Sequence, residues 1–163
     1  VRSRRQRQMC IRDRSDVVMV GFSMGGLMAA LAAADQRPSD LAGLVLVSAP
    51  ADLPSFARDT AFGGVRRYLE QTLQPRQWRE SSPLGHADRL AHPLLVVVGT
   101  ADRMTPPEQG RRLASTVRGA SLLEMEEMAH HPSAEEWARI LDDASECFQL
   151  RGPEGAAETP GVR

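Results

Sequence analysis

Val17-Val18-Met19-Val20-Gly21-Phe22-Ser23-Met24-Gly25-Gly26, running on into Leu27 to Ala34 (LMAALAAA), is the stretch on which the reading of the fold turns. Its first four residues form a continuous apolar, mostly β-branched run that reads as a buried strand ending at Gly21. Leu27 to Ala34 consists of strong helix formers and stops near Asp35 and Pro38. Between the two, Gly21-Phe22-Ser23-Met24-Gly25 fits the pattern G-x-S-x-G. A serine on so tight a strand-to-helix turn must adopt a strained backbone. Gly21 and Gly25 are expected to relieve the crowding on either side, and Gly26 to let the helix pack closely on its sheet. The Ser23 oxygen would then stand above the carboxyl end of the sheet, beside the positive end of a helix. A dinucleotide-binding loop does not fit, because Ser23 occupies the second glycine position of G-x-G-x-x-G. The plain alternative is a glycine-rich connection with no chemistry. Residues 17–34 carry no charge, but their glycines, serine and alanines make a membrane span there a poor fit.

Outward from this stretch the pattern repeats. Leu44 to Val47 is a second apolar strand, ended by Ser48-Ala49-Pro50, and Leu94 to Val98 is a third, ended by Gly99. Pro106 and Pro107 sit where the first turn of a helix tolerates proline and lead into a helix over Glu108 to Val117. Ser121 to Met125 is a fourth strand. Ser133-Ala134-Glu135-Glu136 has the spacing of a capping box and opens a helix reaching about Leu150. Strands that are apolar on both faces and alternate with helices imply an α/β fold, with a parallel sheet of about four strands covered on both sides. Residues 51–92 interrupt the alternation and are expected to form a short cap-like excursion over one edge of the sheet, with Val65, Tyr68, Leu69, Thr72 and Leu73 on one helical face.

The whole chain has 163 residues, 42% of them hydrophobic and 25% charged, which suits one domain with an ordinary core. All 20 basic residues are Arg, and the absence of Lys excludes a Walker A phosphate loop and any Schiff-base lysine chemistry. Cys10 and Cys147 make no disulfide framework, so a reducing, cytoplasmic setting is the expectation. The net charge of −1 gives no overall case for nucleic acid. Charge is unevenly placed, however. Residues 1–14 hold six Arg and one Asp, whereas the remainder is net acidic. That segment has no aromatic to stack on bases and no apolar core for a signal peptide. Its string RQRQMCIRDR resembles translated sequencing-adapter sequence. Residues 1–15 are therefore read as a non-native or disordered basic segment, 16–151 as the domain, and 152–163 (Gly-, Pro- and Ala-rich) as a disordered tail.

A serine at its ordinary pKa is a poor nucleophile and needs a base, which in turn needs an acid to orient it. Asp102 follows the third strand in LLVVVGTAD, and His130 lies after the fourth strand, ahead of the capped helix. The chain order is then Ser23, Asp102, His130. His131 is a rival base and Asp52 a rival acid. His86 and His92 are expected to be surface residues at the opposite end of the sheet. Met104, Met125 and Met128 are expected in the core, and no cluster has metal-ligand spacing.

These elements together (GFSMGG on a strand-helix turn, PLLVVVGTADRMTPP and MEEMAHHP in that order) resemble the α/β-hydrolase superfamily, over roughly residues 16–150 and the C-terminal half of its fold. The resemblance implies Ser23 as nucleophile, His130 as general base and acid, Asp102 as the residue that holds the imidazole, and the Met24 N–H as an oxyanion donor. One departure is Ala129, where that superfamily commonly has Gly. The superfamily's second oxyanion donor comes from a loop after an earlier strand, which no residue before Asp16 supplies, so the chain is read as a fragment, weakly active or inactive by itself. The implied activity is hydrolysis of small-molecule carboxylic esters through an acyl-serine, with no metal or organic cofactor. One alternative is a serine peptidase of the prolyl-oligopeptidase type, which the run SSPLGHADRLAHPLLVVVGTADRMTPPEQG also resembles. Another is a non-catalytic binding protein of the same fold.

Overall fold

In a computed structural model, residues 17–36 and 38–150 are described. The basic segment 1–15 and the tail 152–163 lie outside them. Four strands, β1 (Val17–Phe22), β2 (Leu41–Val47), β3 (Leu94–Gly99) and β4 (Ser121–Met125), form one sheet in the order β1-β2-β3-β4. Every neighbouring pair is parallel. Two helices serve as crossovers, α1 (Met24–Gln36) and α5 (Glu108–Thr116), and α6 (Ala134–Cys147) follows β4. Between β2 and β3 come α2 (Leu53–Asp59), α3 (Gly63–Thr72), the short α4 (Gln77–Glu80) and a 3₁₀ segment, Pro83–Arg89.

Strand order explains the layering. Right-handed crossovers between sequential parallel strands place every connecting helix on the same face. Accordingly Ala29, Ala30, Ala33 and Ala34 of α1, Ala87 and Leu90 by the 3₁₀ segment, and Leu113 of α5 pack on Leu44, Leu46, Leu94, Val96 and Val98. The alternate residues Val45, Val47, Leu95 and Val97 face the other way, and only a helix free of crossover duty can cover them. α6 does so with Ile140 and Ala144, alongside Met125 and Met128. Among the described residues no helix is long and apolar enough to cross a membrane.

The structure amends several sequence expectations. β2 starts at Leu41 rather than Leu44, because Leu41 and Gly43 pair with Val17 and Val18 of β1; the space over Gly43 is filled by the Phe148 ring, 2.6 Å from where a Cβ would lie. β1 runs to Phe22 and is half-buried rather than buried, since among the described residues it pairs on one side only. The excursion packs on α1: Leu53, Phe56, Ala57 and Leu69 cluster with Leu27, and Leu31, Val65, Leu73 and Trp78 pack around them. Tyr68 was expected on that packed face but is exposed, because Val65, Leu69 and Leu73 already form the inward row at i, i+4 spacing. Deep in the fold, the buried Gln109 side chain of α5 accepts the N–H groups of Ala51 and Asp52 and donates to Ser55 Oγ, which fixes the exit from β2.

Candidate active site

Parallel strands bring their carboxyl ends to one edge, and Ser23, Asp102 and His130 follow β1, β3 and β4 there. Ser23 has φ +52°, in the left-handed region that costs a non-glycine residue of order 1–3 kcal/mol. Its N–H donates to the Val47 carbonyl at 2.9 Å, and its carbonyl accepts from Gly26 and Leu27 to start α1. The turn closes only because two glycines touch. A Cβ on Gly21 would sit 2.6 Å from Gly26 Cα, and one on Gly26 would sit 2.5 Å from Ala49 Cβ. Gly25 carries no such constraint, with nothing within 4 Å of its would-be Cβ, so the relief expected there falls to Gly26. Met24 is the first residue of α1, and its N–H is among those that a first helical turn leaves without an intrahelical acceptor.

Asp102 is held by its own turn. Its Oδ1 accepts from Met104 N–H at 2.9 Å and Thr105 N–H at 2.8 Å, while Oδ2 lies 2.8 Å from His130 Nδ1. Since a carboxylate only accepts, Nδ1 carries the proton, and Nε2 is left to accept from Ser23 Oγ at 2.9 Å. Asp102 is 3% exposed and His130 7%, so the bond between them lies away from bulk water, whereas the bond to Ser23 is partly buried. Ala129 is not among the positive-φ residues of the histidine turn; that conformation falls on Glu127, at +57°. Alanine therefore serves at this position.

Three groups set the histidine turn against β3. Met125 and Met128 carbonyls accept from Thr100 and Ala101 N–H, and the Thr100 hydroxyl accepts from Glu127 N–H. Gly99 leaves room for the turn: a Cβ there would stand 2.1 Å from the Met128 oxygen. The Phe22 ring lies 5.2 Å from the His130 ring, 5.6 Å from His131 and 6.0 Å from Trp137, backing the imidazole with an aromatic wall. Sequence reasoning missed Thr100 and Phe22, although the glycine ending the β3 run was a visible signal for a close approach.

The rivals stand elsewhere. His131 is exposed, edge-on to the His130 ring at 5.0 Å. Asp52 precedes α2 and pairs with Arg112 at 3.0 Å. Burial pushes the Asp52 carboxyl up, but hydrogen bonds from Ser55 and Arg112, with the Arg112 charge, outweigh it and hold the carboxyl below its ordinary value. His86 and His92 are half-buried rather than on the surface; His86 Nε2 reaches the Glu80 carbonyl at 2.8 Å, which anchors it in the excursion. Met125 and Met128 are buried, whereas Met104 is only partly so, because it belongs to the acid turn.

Comparison with known proteins bears on this arrangement. The chain is 27% identical over 120 residues to acylamino-acid-releasing enzyme 2 of Oryza sativa, covering 65% of this chain and 15% of that protein. It is 32% identical over 88 residues to a pimeloyl-[acyl-carrier protein] methyl ester esterase of Neisseria meningitidis, covering 52% and 33% respectively. The chain thus spans a third or less of the curated relatives it matches. A crystal structure of puromycin hydrolase superposes with a TM-score of 0.71 at 26% identity, over 85% of this chain and 23% of that one. The sheet and its flanking helices are those of an α/β hydrolase, one with peptidase and esterase homologues. The sequence profile of the prolyl oligopeptidase family matches residues 5–144. With most of its length inside that match, the chain belongs to the prolyl oligopeptidase family.

Proposed function

We propose that this chain carries the acyl-transfer centre of a serine hydrolase. Ser23 attacks a substrate carbonyl while His130 Nε2 takes its proton. The Met24 N–H donates to the developing oxyanion, and His130 then protonates the leaving group. Water, deprotonated by His130, then adds to the acyl carbon; the bond to Ser23 Oγ breaks, His130 returns the proton to Oγ, and the acid is released. Asp102 holds the Nδ1–H tautomer and stabilises the imidazolium. The observation that supports this most is the unbroken line from Asp102 Oδ2 through His130 to Ser23 Oγ, at 2.8 and 2.9 Å. None of these steps calls for a metal or an organic cofactor. A non-catalytic binding protein has no use for a strained serine at φ +52° facing a buried imidazole.

The substrates proposed first are small carboxylic esters, in keeping with the esterase relative. The second reading, an amide or peptide bond, is favoured by the family match over residues 5–144. Both pass through the same acyl-serine, so two chromogenic substrates with one acyl group separate them. We expect a fluorophosphonate to label Ser23 and no other residue, and Ser23→Ala to abolish p-nitrophenyl ester turnover. Release of p-nitroaniline from the matched amide at a comparable kcat/KM assigns the peptidase reading, and its absence assigns the esterase. Unimpaired ester turnover in Ser23→Ala would sink the proposal.

A further inference from the structure

We infer that Thr60, on the excursion between β2 and β3, is a positioning residue for the Asp102 carboxylate, and that α3 holds it there through Arg66. This rests on the acyl-serine reading above and extends it by giving the excursion a part in the chemistry. The two N–H groups on Asp102 Oδ1 come from Met104 and Thr105, so the direction of the carboxylate follows the path of residues 103–105. That path is fastened from outside the turn. The Thr60 hydroxyl donates to the Met104 carbonyl at 2.6 Å, and Ala61 N–H donates to the Arg103 carbonyl at 2.9 Å.

Thr60 is 3% exposed, and its hydroxyl also accepts Phe62 N–H at 3.1 Å, which fixes its rotor. Arg66, in the first turns of α3, donates to the carbonyls of Ala57, Arg58 and Thr60 at 2.5, 2.9 and 3.1 Å. Two of these are end carbonyls of α2, which have no intrahelical donor. A continuous set of hydrogen bonds therefore runs from α3 through Thr60 and Met104 to Asp102 and His130. Loosening it lets the carboxylate turn away from Nδ1, and the imidazole loses the bond that selects its tautomer.

Thr60→Val removes the hydroxyl and keeps the branched shape, whereas Thr60→Ser keeps the hydroxyl. In the ¹⁵N-histidine-labelled chain, a proton on His130 Nδ1 bonded to a buried carboxylate gives a far-downfield resonance, assigned by its loss in His130→Gln. Thr60→Val should speed solvent exchange of that proton about tenfold or more and slow fluorophosphonate labelling of Ser23 about tenfold. Its kcat should fall with KM unchanged, and Thr60→Ser should restore both readouts to within about twofold. Unchanged exchange in Thr60→Val overturns the inference, as does equal loss in Thr60→Ser. If Thr60→Val melts the fold, Arg66→Met reads the same link from its other end, and unchanged exchange there is equally fatal. The resonance needs no turnover. A wild-type chain that shows it but never labels refutes the hydrolase reading alone, while the exchange rates still decide the role of Thr60.

Discussion

Gly99→Ala offers the sharpest test of how the histidine turn is held. A Cβ added at Gly99 would lie 2.1 Å from the Met128 oxygen, and such contacts are not tolerated below about 3.0 Å, so the carbonyl must retreat by about 0.9 Å. Met128 is fully buried two residues before His130, and Ala101 N–H already binds its carbonyl. The displacement therefore passes along the turn to the imidazole. Asp102 and Ser23 bind opposite nitrogens of the ring at 2.8 and 2.9 Å, so a shift of this size along that line carries one contact beyond hydrogen-bonding range and crowds the other. A misplacement of about 1 Å costs on the order of 10²-fold in rate, and overpacking costs ~1–3 kcal/mol of stability.

Gly110→Ala is the matched control, because a Cβ there meets Val98 Cγ1 at 2.2 Å in the contact between α5 and β3, away from the turn. Both variants should lose comparable stability in urea. Only Gly99→Ala should label with fluorophosphonate about 10²-fold more slowly per folded molecule. Labelling of folded Gly99→Ala at the wild-type rate would show that Met128 does not set the position of His130.

His130→Ala should lower ester turnover by about 10⁴-fold or more and His131→Ala by less than about tenfold, measured as kcat/KM; the reverse order would move the base to His131. Arg112→Leu should cost about 0.5–1 kcal/mol at neutral pH by urea denaturation. Because the folded-state pKa of Asp52 is depressed, this stabilisation is present above its unfolded value and is lost as the pH falls through the folded one. The gap between wild type and Arg112→Leu should therefore close below about pH 4. Ser133 Oγ accepts from Glu136 N–H, and the Glu136 carboxylate accepts from Ser133 N–H, so Ser133→Ala should cost ~1 kcal/mol by thermal denaturation with labelling of Ser23 unchanged.

The legible parts of the sequence are those where one local rule governs. Val45 and Val47 are buried on one face and Leu44 and Leu46 on the other, so the apolar run spelled a strand covered on both sides. Ser133 and Glu136 spelled a cap. Ser23, Asp102 and His130 could be chosen because a parallel sheet brings its carboxyl-end loops together, and the structure does place these side chains within hydrogen-bonding distance. What stayed hidden depends on contacts between distant residues. Pairing with Val17 and Val18, with Phe148 filling the space over Gly43, carries β2 past what Gly43 suggests in isolation. The grip of Gln109 on Ala51 and Asp52 spans more than fifty residues and leaves no periodic trace. The inward row of α3 is settled by the cluster in which Leu69 joins Leu53, Phe56 and Ala57 of α2 and Leu27 of α1, and not by its own pattern, which also admitted Tyr68.

Strand order has one more consequence. Ser23 leaves β1 and His130 follows β4, the first and last strands in the order of the described sheet, roughly 14 Å apart at the usual inter-strand spacing. They meet only because the turn after β4 doubles back over the end of β3, held there by Thr100 and Ala101. β4 is also largely exposed on its outer side, with Leu122 at 40%, which makes this margin a natural place for fraying to begin. The chemistry proposed for Ser23 would thus act as a sentinel for the far side of the described sheet. As the chain is warmed, it should fall silent while the helical signal is still intact, so loss of activity marks the peeling of a single strand and not the melting of the domain.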